Sequence, residues 1–388
     1  MKNILLLNKI AKVGTDVLDK KEYSIGTDIA DPDAIMVRSA AMHDMTFGKN
    51  LRAIARCGAG VNNIPIDRCS DEGIVVFNTP GANANGVKEL TIAAILLAAR
   101  NITGGIEWVK SLENTEGVAK AVEAGKSAFA GNEIAGKTLG VIGLGAIGGM
   151  VANAATHLGM EVVGCDPYLT VEAAWNISHS VKKASAFEEV FAVSDYVTLH
   201  VPATNETKHM INENSLALMK DGVKIINLSR ADLVDMKAMK AALESGKVSA
   251  YVTDFPTEEN IGVKGVITIP HLGASTAESE DNCAVMAAHE LDDFLRYGNI
   301  KNSVNFPNVS MAHTPDCVRI CLFHKNIPTT LTKISGALSD QGINIENLLN
   351  RSKGNNAYTL VETAAKIGDD IKAKLCAIEG MIRVTVID

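Results

Sequence analysis

The chain has 388 residues, a formal net charge of −8 and 47% hydrophobic residues. That length and composition suffice for two or three buried cores, and an acidic chain without a basic tract excludes a general nucleic-acid binder. No apolar run reaches membrane-spanning length, and the seven cysteines lack metal-ligand spacing, so no membrane, no metal and a reducing, cytoplasmic setting are expected.

Lys2 followed by Ile4-Leu5-Leu6-Leu7 reads as a first strand rather than a signal peptide. Further short apolar runs follow at Ala34 to Val37, Leu51 to Ala55 and Ile74 to Phe77, ending in the turn Asn78-Thr79-Pro80-Gly81 before a helix from Val87 to Ala99. Next comes a β-branched run, Thr138 to Ile142, leading into Gly143-Leu144-Gly145-Ala146-Ile147-Gly148 and a helix from Ile147 to Leu158 stopped by Gly159. Glycines on such a strand-to-helix turn have distinct tasks. Gly143 permits the tight backbone, Gly145 admits a pyrophosphate to the main chain, and Gly148 allows close packing of the helix. The helix N-terminus offers free N–H groups to phosphate. A second strand, Glu161 to Cys165, delivers Asp166, whose carboxylate accepts both ribose hydroxyls and repels a 2′-phosphate. This favours NAD over NADP.

Strands are predicted again at Tyr196 to His200, Val223 to Leu228, Ala250 to Val252 and Val266 to Ile269, with a helix from Met236 to Ser245. Their ends carry His200-Val201-Pro202, Ser229-Arg230, Asp254 and Pro270-His271, which should border one crevice at the carboxyl edge of a parallel sheet. A capping box, Ser275-Thr276-Ala277-Glu278, opens a long helix that ends at Tyr297. The pattern predicts a first domain in two pieces, residues 1–92 and 278–312, with a dinucleotide domain, residues 93–277, inserted. Residues 317–388 then read as strand Arg319 to Phe323, helix Pro328 to Leu338, strands Ile343 to Leu348 and Tyr358 to Thr363, helix Ile371 to Ile378 and strand Ile382 to Ile387. That β-α-β-β-α-β order is ferredoxin-like.

The segments Ala55-Arg56-Cys57-Gly58-Ala59-Gly60-Val61-Asn62-Asn63-Ile64, Asn78-Thr79-Pro80-Gly81-Ala82-Asn83, Asn227-Leu228-Ser229-Arg230 and Pro270-His271-Leu272-Gly273-Ala274-Ser275-Thr276 resemble the D-2-hydroxyacid dehydrogenase family, over nearly the whole chain. The resemblance implies an α/β fold with a flavodoxin-like/Rossmann two-domain core, and hydride transfer between NAD and a 2-hydroxy acid. It makes His271 the base for the hydroxyl proton, Glu258 the carboxylate that orients it, and Arg230 the fork for the substrate carboxylate. Cofactor contacts are implied for Gly143, Gly145, Ala146, Ile147, Gly148, Asp166, His200, Val201, Pro202, Leu228, Ser229, Arg230, Asp254, His271, Gly273 and Ala274. Substrate contacts are implied for Arg38, Ser39, Arg56, Gly58, Ala59, Gly60 and Asn83, and the two arginines favour a phosphorylated acid, 3-phosphoglycerate.

Some positions depart from the family pattern. Asp254 stands one place nearer Phe255 than usual, which on a strand would turn it to the other face. Ala59 replaces a common threonine, Ala146 a common arginine, and Lys88 a small residue. The tail resembles the ACT domain, a module that binds amino acids at a paired interface. This implies a homodimer or homotetramer and an L-serine effector held by His324, Asn326 and Asn344, although Thr329 replaces the usual glycine after Pro328. Two alternatives stay open: a hydroxypyruvate or glyoxylate reductase of the same chemistry, and a non-catalytic NAD(H)-sensing binding protein, since transcriptional corepressors share the scaffold.

Overall fold

The computed structural model describes residues 1–387, which form two compact units: Met1–Ala82 with the chain from Glu280 onward, and Asn83–Ser279. The first unit contains a parallel sheet of β1 (Lys2–Leu7), β2 (Tyr23–Gly26), β3 (Ala34–Val37), β4 (Ala53–Arg56) and β5 (Val75–Asn78), in the order β2-β1-β3-β4-β5. Alternate residues serve its two faces. Ile4, Met36, Ala55 and Phe77 join one core with Ala284, Ala287, Leu291 and Phe294 of the long helix Ala277–Tyr297. Leu5, Ile35, Val37, Ile54 and Val76 join another with Met42, Ile64 and Cys69. β2 is absent from the sequence expectations because Tyr-Ser-Ile-Gly is a poor strand signal at a sheet edge. Its Tyr23 is nevertheless buried and donates a hydrogen bond to Asp292 at 2.8 Å.

The second unit is a seven-stranded parallel sheet of β6 (Thr138–Ile142), β7 (Glu161–Cys165), β8 (Lys182–Lys183), β9 (Tyr196–Leu199), β10 (Val223–Asn227), β11 (Val248–Thr253) and β12 (Val266–Thr268), ordered β12-β11-β10-β9-β6-β7-β8. The strand order reverses between β6 and β9, and such a switch point opens a crevice at the strand carboxyl ends. Both faces are covered by apolar cores, one around Leu139, Val141 and Val252, the other around Ile142, Leu199 and Ile225. Residues 102–129 add pieces that the sequence expectations lack: helices Ile102–Ser111 and Val118–Gly125 and the 3₁₀ turn Lys126–Phe129, none with a buried residue.

The tail does not stand as a third compact unit, because one face of its sheet is spent on the first unit's core. Its antiparallel strands β13 (Val318–Lys325), β14 (Asn347–Lys353), β15 (Asn356–Thr363) and β16 (Met381–Ile387) run in the order β14-β15-β13-β16. Cys321, Phe323, Tyr358 and Leu360 pack into the core of the long helix, while Ile320, Leu322 and Val361 pack on the tail's own helices. A fully buried ion pair, Arg319 with Glu362 at 2.7 Å, fixes the junction, and Arg319 also donates to the carbonyls of Tyr297 and Met311. The strand expected at Ile343 to Leu348 lies later, at β14. Gly342 (φ 68°) ends the preceding helical turn, and Ile343 is drawn into the tail core.

No single helix among the described residues is long and apolar enough to cross a membrane. All seven cysteines are free thiols, six of them buried.

Candidate active site

In the second unit the glycine turn follows β6. Gly143 has φ 88°, left-handed backbone that a side chain resists, and a Cβ there would meet the His200 carbonyl oxygen at 2.6 Å. A Cβ at Gly148 would lie 1.9 Å from the Gly143 carbonyl oxygen, so the helix Ala146–His157 presses on the turn itself. At Gly145 a Cβ would meet nothing within 4 Å, so the turn presents bare backbone on that side. Asp166, just beyond β7, accepts hydrogen bonds from the backbone N–H groups of Leu144 and Tyr168, both at 2.9 Å. Those bonds aim the carboxylate and leave each oxygen a further lone pair for a hydroxyl donor.

At the end of β9, the half-buried His200 has its ring 3.0 Å from the Thr198 hydroxyl, and its buried Nδ1 has no partner among the described residues. Burial pushes its pKa down to about 4, so the ring is neutral. Val201 and Pro202 continue the same edge, and the Pro202 carbonyl accepts from Thr207. An orphan nitrogen beside bare glycine backbone, with a carboxylate at the next strand end, fits an adenine dinucleotide.

At the end of β10, buried Asn227 folds an Asx turn: its carbonyl oxygen accepts from the Ser229 N–H at 3.2 Å, and its amide donates to the Arg230 carbonyl at 2.8 Å. The Ser229 hydroxyl donates to the Leu199 carbonyl, tying the loop to β9, while Leu228 is buried in the core. Arg230 therefore has a fixed backbone and an exposed guanidinium, whose Nη1 donates to the Ser229 carbonyl at 2.6 Å. Asn227 and Thr198 were not among the expected site residues; an asparagine two places before Ser-Arg at a strand end was the available signal.

His271 is exposed, and its ring meets the Phe255 ring edge-on at 4.9 Å. Glu258 is also exposed, and among the described residues no hydrogen bond or ion pair joins it to His271. Asp254, expected as a cofactor contact that strand alternation would turn to the other face, lies just beyond its strand. β11 ends at Thr253, so strand alternation no longer governs residue 254, and a Cβ at Gly273 would sit 3.5 Å from the Asp254 Oδ2. The carboxyl is fully buried, and neither oxygen has a well-formed hydrogen bond among the described residues. Burial pushes its pKa up, opposed by the positive charge of His271, the Gly273 N–H and Arg230. Ala274 continues this loop, half-buried, and the Ser275 hydroxyl donates to the His271 carbonyl at 3.4 Å. The helix cap lies one residue later than expected. Thr276 accepts from the Ser279 N–H at 3.0 Å, in place of a Ser275–Glu278 box.

In the first unit, Arg38 follows β3 and Arg56 ends β4. The Arg56 Nε donates to the Arg38 carbonyl at 3.2 Å, and its guanidinium lies over Gly58, where a Cβ would be 1.5 Å from Nη1. Gly58 (φ 147°) thus makes room for the arginine. Asn78 donates to the Ala59 carbonyl and the Thr79 N–H to the Gly58 carbonyl, so the Gly58-Ala59-Gly60 loop is held open, with nothing near Gly60. The Ser39 N–H donates to Asn8. Asn83 belongs to the second unit, where it precedes the helix Ala84–Ala99, and Lys88 on that helix is 3.7 Å from Glu89.

In the tail, His324 is buried with both ring nitrogens engaged, Nδ1 by the Lys325 carbonyl and Nε2 by the Thr359 hydroxyl, each at 2.9 Å. It has no free valence for a ligand, because its strand alternation points it into the tail. Asn326 donates to the Gly354 carbonyl and Asn344 to Glu346, and both asparagines lie toward the surface.

The family model described as D-isomer specific 2-hydroxyacid dehydrogenase, NAD binding domain, matches residues 92–273. The chain is 37% identical over 290 residues to a D-3-phosphoglycerate dehydrogenase of Methanocaldococcus jannaschii, covering 72% of this chain and 53% of that protein. It is 38% identical over 289 residues to a hydroxypyruvate reductase of Thermotoga maritima, covering 71% and 89%. The chain thus spans about half the length of the archaeal relative. The structure of NAD⁺-bound 3-phosphoglycerate dehydrogenase from Entamoeba histolytica superposes with a TM-score of 0.61 and 26% identity, over 78% of this chain and 98% of that one.

Proposed function

Because the chain belongs to the D-isomer-specific 2-hydroxyacid dehydrogenase family, with an NAD-binding second unit, we propose that it oxidises 3-phospho-D-glycerate to 3-phosphohydroxypyruvate, the entry to L-serine synthesis. The observation that carries the phosphorylated substrate is the arginine pair. Arg38 and Arg56 leave adjacent parallel strand ends, and Arg56 lies over Gly58 with no carboxylate partner among the described residues. Two planar forks side by side suit a phosphoryl group.

When bound, NAD supplies the ring that accepts hydride from C2. A nitrogen of the exposed His271 imidazole takes the C2 hydroxyl proton in oxidation and returns it in reduction. Arg230, held by the Asn227 turn, pairs with the substrate carboxylate and supports charge on the C2 oxygen. The Asp254 carboxyl is buried beside Gly273, two residues beyond His271. Glu258 takes the orienting role only once its side chain reaches the His271 ring.

Initial rates of NADH oxidation with phosphohydroxypyruvate beside hydroxypyruvate test the assignment, and equal kcat/KM for the two would sink it. The His271→Ala variant is expected to lose at least about a hundredfold in kcat while still quenching or enhancing NADH fluorescence on binding. Hydroxypyruvate reduction is the second reading, favoured by the Thermotoga maritima relative. The free buried thiols accord with a cytoplasmic enzyme. The ACT-like tail is assigned L-serine as effector through Asn326 and Asn344, with His324 framing the loop. A serine titration of the same assay that leaves the rate flat removes that assignment.

A further inference from the structure

The arginine pair brings a carboxylate of its own. Glu280, in the first turn of the long helix, lies 2.6 Å from the Arg38 Nη2, and both side chains remain about two-fifths exposed (42% and 44%). Arg56, next to Arg38, has no such counter-ion among the described residues, and burial first, then the charge of Arg38, disfavours its cation. Two guanidiniums and one carboxylate therefore present a single net positive charge. A phosphoryl group brings a charge approaching −2 at neutral pH. It would meet Glu280 as a like-charged neighbour at the nitrogen it needs.

We propose that Glu280 is an exchangeable counter-ion, which neutralises Arg38 in the free enzyme and gives it up to the phosphoryl group of the substrate. This rests on the phosphorylated-substrate reading above. Exchange is feasible because the pair is half-exposed, so the released carboxylate returns to water near the positive end of the helix. An acid without a phosphoryl group has no need to displace it. Glu280 therefore narrows the preference for phosphorylated over unphosphorylated acids and keeps small inorganic anions from occupying the site.

Glu280→Gln keeps the size and a hydrogen-bonding oxygen but removes the charge. The ratio of KM for phosphohydroxypyruvate to KM for hydroxypyruvate is expected to fall about fivefold, the scale of one exposed ion pair. Inhibition by sulfate should tighten by a similar factor, and Arg38→Gln should abolish that gain. A merely structural role would move both KM values together. An unchanged or raised KM ratio with unchanged sulfate inhibition overturns the proposal, and a raised ratio would make Glu280 a prop for Arg38 instead. The sulfate arm needs no substrate assignment. If the parent enzyme shows no preference for the phosphorylated acid, the substrate reading fails, while tighter sulfate inhibition still upholds the exchange.

Discussion

Gly148 shows how one missing Cβ shapes the dinucleotide turn. Because a methyl there would overlap the Gly143 carbonyl oxygen, Gly148→Ala must move either the turn or the helix. The expected outcome is a loss of more than about 2 kcal/mol of stability, with NADH binding weakened at least tenfold, by thermal unfolding and fluorescence titration. Such residues are legible in sequence because a glycine pattern reports backbone geometry directly. Asn227 and Asp254 are less so. The Asn227 side chain holds the Arg230 backbone in place, and Asp254 faces the His271 loop only because β11 stops at Thr253. Both depend on where a strand ends, which residue type alone does not fix.

At the scale of elements, the helix Thr330–Ser339 begins with a conflict. Its N-cap Thr329 has φ 69°, a left-handed conformation that a β-branched residue adopts at a cost of about 1–2 kcal/mol. Thr329→Gly is expected to raise the thermal midpoint by a few degrees, the scale of about 1 kcal/mol; a lowered midpoint would mean that the threonine side chain holds the loop. The helices Ile102–Ser111 and Val118–Gly125 pose the opposite case. Ile102, Ile106 and Val109 are 44–50% exposed, and nothing on either helix is buried.

Over the whole molecule, stability should depend on pH through two buried carboxyls of opposite behaviour. Burial, eased by a hydrogen bond from Asn302, raises the Glu290 pKa from 4.5 to about 8. Between those values the native state holds a proton that the unfolded chain has lost, so this contribution falls as pH rises. Glu290→Gln should therefore unfold at a higher temperature than the parent at pH 8, with a much smaller difference at pH 4. A constant difference across that range would show that Glu290 is ionised in the native state. Glu362 acts in reverse. Burial would raise its pKa, but hydrogen bonds from Thr314, Arg319 and Asn347 hold it at about 2, so its stabilisation is lost as pH falls below 4.5.

Local periodicity and glycine chemistry were enough to locate most strands, the dinucleotide turn and the ferredoxin-like order of the tail, because each is a short-range demand on the backbone. Long-range packing decided the rest. The tail sheet lies on the long helix because Cys321, Phe323 and Tyr358 alternate onto the face opposite its own helices. The same alternation buries His324 against the Thr359 hydroxyl, and Glu280 meets Arg38 only because the chain returns to the first unit after some 240 residues, too far apart in sequence for any local pattern to pair them.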